Sequence, residues 1–159
     1  ADRPADEPVA ETASRLAELT LVRCEIEGFA VEHAAAAWTR PQMAEFERHD
    51  AIFRRECRKR TPDAARAVLA NRDLHFSIYR AAGLPSLIPI IEGLWLRIGP
   101  VLNLDMRESP QRLKVGAAER CHARILAGLA KRDDKAARAA LEDDIEGAAR
   151  FIAGRGVLP

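Results

Sequence analysis

The chain has 159 residues, enough for one domain to close a hydrophobic core without disulfides. Its 25 Lys and Arg are matched by 24 Asp and Glu, and the formal net charge of +1 excludes a nucleic-acid surface as the main feature of this segment. The three cysteines, Cys24, Cys57 and Cys121, are odd in number and widely spaced, which fits reduced packing thiols rather than a secreted disulfide framework.

Ala, Leu, Arg and Glu dominate and no stretch alternates with period two, so the expected fold is all-α, an antiparallel helical bundle of six or seven helices. Residues 1–9 are acidic, hold two prolines and read as a linker or frayed start. A long helix over about Ala10–Ala37 follows, with Arg23 on the seam Leu16, Leu19, Arg23, Ile26, Ala30 and His33. Thr39 and Pro41 punctuate the chain before a strongly charged second helix that ends near Arg60 in RRECRKR, a run that reads as a solvated helix end. Thr61 and Pro62 are expected to cap the third helix, and Gly83 to stop it.

The fourth helix starts around Pro85 to Pro89 and is apolar nearly all round, which predicts a central position. Arg97 lies on its second seam, with Ile90, Leu94 and Val101. Asp105 to Pro110 reads as a loop. Ser109 and Pro110 then cap a helix with the seam Val115, Ala118, His122, Ile125 and Leu129. A last helix starts near Asp133, carries Ala137, Leu141, Asp144, Ala148 and Phe151, and ends at Gly154 and Gly156, leaving 155–159 as a tail. The domain proper is thus 10–154. No apolar run approaches the roughly 18 residues of a membrane span, so a cytoplasmic protein without membrane contact is expected.

Three helices each place metal-type side chains on an otherwise apolar seam. Asn71 and His75 stand one turn apart between Val68 and Ile78, His122 is the polar member of the second set, and Asp144 of the third. Left unpaired in a core, each such group costs roughly 1–3 kcal/mol. Two imidazoles, a carboxylate and an amide oxygen form a mixed N/O set suited to a divalent metal such as zinc, nickel or manganese. The plainer alternative pairs Asp144 with a neighbouring arginine such as Arg138 or Arg150 and leaves the histidines with ordinary core partners. Arg23 and Arg97 are candidates to hold the carboxylate of an organic acid through parallel N–H bonds; for Arg23 the alternative is an ion pair with Glu27. Glu119 and His122 make a single Glu-x-x-His, and His33 and His49 read as ordinary.

From about Glu11 to Ile152 the order of LVRCEIEGFAVEHAA, NRDLHFSIYRAAG, LWLRIGP, ERCHARILAGLAKRD and ALEDDIEGAARFI resembles the C-terminal effector-binding (FCD) domain of FadR-type regulators in the GntR superfamily. Family members carry Asp-x-x-Phe-His on one helix and a histidine on each of the last two, together a metal site beneath an organic-acid pocket. The resemblance puts His75 and His122 at two of the histidine positions and Asp144 at the last. Asn71 replaces the family aspartate and Leu74 the phenylalanine, so one carboxylate remains in the set but on a different helix. The resemblance further implies a bacterial transcription regulator, a homodimer, and DNA binding only through a winged helix-turn-helix that this sequence does not contain. The expected function is therefore sensing of a small organic acid, not catalysis. The alternatives are a metal-dependent hydrolase-like enzyme with Glu119 as base, and a dimerisation module without ligand.

Overall fold

The computed structural model describes the backbone of residues 7–108 and 110–154, and side chains over 13–102 and 113–154. Among the described residues there are seven helices and no strand: α1 (Glu7–Ala37), α2 (Arg40–Arg58), α3 (Ala64–Ala81), α4 (Leu87–Glu108), α5 (Pro110–Val115), α6 (Ala117–Ala130) and α7 (Asp134–Gly154). Both α1 and α6 pack lengthwise on α7, α2 packs on α3, and α3 and α4 close against α1. Small residues make the closest of these approaches possible. Ala30, Val31, Ala34 and Ala35 of α1 meet Ala137, Ala140 and Leu141 of α7 in the main core, which Leu74, Ile78, Ile125 and Leu129 complete from α3 and α6.

Local signals explain most helix ends. The Thr39 N–H donates to Gln42 Oε1 at 2.8 Å and closes a capping box at the start of α2. Gly83, at φ 71, takes the left-handed conformation that stops α3. The turn from α6 to α7 is held by a residue that sequence reading passed over. Arg132 sits at φ 55, and its guanidinium donates to the carbonyls of Ala35, Ala36 and Trp38 while stacking 4.3 Å from the Trp38 ring centroid. A cation thus caps the C-terminal end of α1, where the helix dipole favours positive charge.

Several expectations are corrected. The first helix begins at Glu7, inside the segment read as linker, whereas residues 1–6 and the tail 155–159 lie outside the described residues. The third helix is capped by Asp63 rather than Thr61, because the Asp63 carboxylate accepts from the Arg66 N–H at 3.1 Å. The Asp105–Pro110 loop is absent as drawn, since α4 continues through Pro100 to Glu108 on a run of good helix formers; Ser109 lies outside the described residues. The helix expected across Val115 to Leu129 is broken in two by Gly116 at φ 71. Nor is α4 central, for Ile90 and Leu96 are 53% and 79% exposed. The basic end of α2 is only partly a solvated face, since its Lys59 reaches back 2.7 Å to the buried carboxylate of Glu56.

The cysteines behave as packing residues. Burial pushes the Cys24 thiol up to about 11 and Cys57 to about 12, and raises Cys121 as well, so none is poised as a thiolate near neutral pH. No described helix is long and apolar enough to cross a membrane.

Candidate functional site

His75 lies on α3, His122 on α6 and Asp144 on α7, each at the position where its helix's apolar stripe faces the bundle interior. Packing brings them together. One donor atom from each lies within 4.8 Å of the other two. His75 Nε2 is 3.2 Å from Asp144 Oδ2, His122 Nε2 is 3.8 Å from the same oxygen, and the two rings meet edge to face with centroids 5.5 Å apart.

Both histidines are buried, yet neither Nε2 makes a hydrogen bond. Buried ring nitrogens without partners are costly unless something else binds them. Two ligands at about 2.0–2.2 Å from a common ion stand roughly 3–3.6 Å apart; the 3.2 Å between His75 Nε2 and Asp144 Oδ2 lies in that range, whereas His122 Nε2, at 3.8 Å from the same oxygen, must move inward to share an ion. Of the arginines considered as plainer partners for Asp144, Arg138 holds Glu142 and Glu25, and Arg150 holds Glu146.

Around these donors stands an outer layer. On α2, Asp50 is 2% exposed, places Oδ1 3.3 Å from His122 Nδ1, and is itself paired with Arg54 at 2.9 Å. Phe53 packs on the His122 ring, with centroids 4.8 Å apart. A carboxylate behind a histidine in this way orients a ligand ring. On the other side, His75 Nδ1 lies 3.0 Å from the Tyr79 hydroxyl, and that hydroxyl donates to Glu27 Oε2. Glu27, fully buried on α1, also accepts from Arg23 Nε at 2.6 Å, from Arg23 Nη2 at 3.2 Å and from Trp95 Nε1 at 3.1 Å. Burial pulls the Arg23 guanidinium down, but the Glu27 charge and hydrogen bond outweigh it and the net shift is upward; Tyr79 is pushed well above its ordinary value by burial and then by Glu27.

A cavity of about 370 Å³ opens directly on this group, within the range of small-ligand pockets. Arg23, Asn71, His75 and Asp144 all line it, with Arg72 and Glu92 among the other polar residues and Trp95, Leu102 and Ile145 among the apolar ones. Asn71 thus shares the cavity wall with His75 and Asp144. Arg97 does not. It is exposed and lines a separate groove between α1 and α4 with Leu19, Val22 and Leu94. Glu119 is likewise absent from the cavity lining, and its Oε1 lies 3.7 Å from Arg58 Nε.

Sequence reading missed Asp50, Tyr79 and Trp95, and weighed Glu27 only as a partner for Arg23. The signal for Asp50 was present: Phe46, Asp50, Phe53 and Cys57 recur at helical spacing among the buried residues of α2, which also include Glu56, and Asp50 interrupts that apolar stripe as Asp144 does on α7. The high charge of the rest of α2 hid it.

The sequence matches the FCD domain family over residues 18–147. No curated protein sequence matches it significantly. Among solved structures it is similar to E. coli McbR/YncC, with a TM-score of 0.81 and 24% identity over 89% of this chain and 69% of that one. At that identity the likeness concerns the fold.

Proposed function

The chain belongs to the FCD domain family, and from that membership we propose that it is the effector-binding domain of a GntR-type transcription regulator, taking a small organic acid into the cavity above a divalent cation. The observation that carries this is the convergence of two buried imidazole nitrogens and a carboxylate oxygen, with His75 and Asp144 at the wall of that cavity and His122 behind them. His75 Nε2, His122 Nε2 and Asp144 Oδ2 would hold the ion, with the Asn71 amide beside them as a weaker fourth donor. A bound zinc, nickel or manganese ion supplies open coordination positions to a carboxylate. Arg23 presents its remaining N–H donors to the same cavity, stacked 5.1 Å from the Trp95 ring centroid.

In the longer protein this reading implies, effector binding shifts the arrangement of linked winged helix-turn-helix domains, and a coupling of about 1–3 kcal/mol would alter operator affinity roughly tenfold. DNA is a partner only through that domain. The hydrolytic alternative would use Glu119 as base, and Glu119 does not line the cavity that His75 and Asp144 share. A dimerisation module without ligand leaves the cavity unexplained.

The test is a melting-shift and calorimetric panel of small carboxylates against the metal-saturated domain. A binding acid at 100-fold excess over its Kd stabilises by about 2.7 kcal/mol. Arg23→Lys keeps a cation for Glu27 but loses the planar fork, and it is expected to weaken that acid about tenfold with metal content unchanged. No shift for any carboxylate would remove the sensing reading.

We further propose a homodimer formed through α1 and α4. Leu21, Val22 and Phe29 are exposed on one side of α1, and Leu96 and Arg97 are exposed on α4. Sedimentation of the domain as a monomer at micromolar concentration would remove this assignment.

A further inference from the structure

The hydrogen bonds behind His75 have a direction, set by the donors gathered around Glu27. Arg23 donates to both oxygens of Glu27, and the indole N–H of Trp95 donates to Oε2, so Glu27 is an ionised acceptor at both oxygens. The Tyr79 hydroxyl, at 2.5 Å from Oε2, must therefore spend its one proton on Glu27. What remains on the Tyr79 oxygen is acceptor capacity, and the group facing it at 3.0 Å is His75 Nδ1. Nδ1 must then carry the imidazole proton. In the neutral ring Nε2 is then the bare lone pair, 3.2 Å from Asp144 Oδ2.

We propose that Glu27 and Tyr79 are positioning residues of the cation site, holding His75 in the tautomer that presents Nε2 to the ion. This rests on the metal reading of the preceding section for its purpose, but not for its geometry. The chain runs from Arg23 and Glu27 on α1 to Tyr79 and His75 on α3, so the arginine that lines the effector cavity and the imidazole that faces the ion belong to one hydrogen-bonded unit.

The direct test is ¹⁵N NMR of the imidazoles in the metal-free domain at a pH where they are neutral, with His75 assigned by substitution. A proton on Nδ1 of His75 is expected, and a proton on Nε2 overturns the proposal. Tyr79→Phe should abolish the single tautomer and weaken zinc about 10–100-fold. The control is Ser77→Ala, on the same helix, which loses a buried hydroxyl bonded to the Leu74 carbonyl and should leave zinc affinity unchanged. Equal zinc affinity in wild type and Tyr79→Phe also overturns the proposal. If the wild type binds no zinc, the metal reading fails, and the tautomer measurement alone decides this one.

Discussion

His122→Leu is expected to abolish metal retention while leaving the metal-free domain as stable as wild type or slightly more so. The two halves of this result have separate causes. His122 is fully buried, and neither of its ring nitrogens makes a hydrogen bond. Its approach to Asp50 is 3.3 Å, but Asp50 keeps Arg54 as a partner when the imidazole is gone. Replacing an unsatisfied buried polar ring by an apolar side chain of similar size therefore removes a cost of about 1–3 kcal/mol, which offsets the packing change. Metal binding has no such compensation, because one of three protein donors is lost; the drop should exceed the roughly 10–100-fold typical of an outer-layer change. Metal content after saturation and buffer exchange checks the first half. Melting checks the second: wild type at 100-fold excess zinc gains about 2.7 kcal/mol, or roughly 5–10 °C for a domain of this size, and the variant gains nothing. A metal-free variant that unfolds, with unchanged metal content in His75→Ala, would show these to be core histidines with a structural role only.

Gly128→Ala should destabilise the domain by about 1–3 kcal/mol, although alanine is the better helix former. A Cβ at Gly128 would lie 2.7 Å from the backbone nitrogen of Ala137 and 2.9 Å from its Cα, so α6 and α7 must separate. Backbone cannot swing aside as a flexible side chain can. The same carbonyl accepts the Asp133 N–H in the turn between the helices, and that turn also presents Arg132 to the end of α1. Because α6 carries His122 and α7 carries Asp144, parting the two helices widens the 3.8 Å separation of their donor atoms. Thermal melting of the metal-free protein reads the packing cost, and zinc affinity measured at lower temperature reads the widening. A variant with wild-type melting would show that the interface yields more easily than the backbone contact implies. The contrast with Gly28 is informative: a Cβ there meets the Arg138 side chain at 2.9 Å, which can move.

The three donors were legible because each breaks a pattern. A polar residue on an apolar helical stripe is visible in one dimension, and His75, His122 and Asp144 each interrupt such a stripe. Arg97 was picked by the same reasoning, yet with Leu94 and Val101 it lines the α1–α4 groove rather than the cavity beside His75. Periodicity reports that a face is apolar, not what covers it. Local chemistry was similarly uneven: the Thr39 box and the Gly83 stop followed their signals, while the α3 cap moved to Asp63 because a carboxylate one residue before the helix outcompeted the threonine.

The amino-acid sequence by itself determined the all-helical class, most helix positions, the family likeness and the chemistry of the donors, because all of these depend on residue type and spacing along one helix. Only the tertiary structure decided that His75, His122 and Asp144 meet, that Asp50 stands behind one histidine and Tyr79 and Glu27 behind the other, and that Arg23 shares their cavity while Arg97 does not. The reason is geometric. A 3.6-residue period defines the direction a side chain takes from its own helix, whereas contact between helices depends on their crossing angle, separation and register, and those are set here by small residues such as Gly128 and Ala137 packing backbone against backbone.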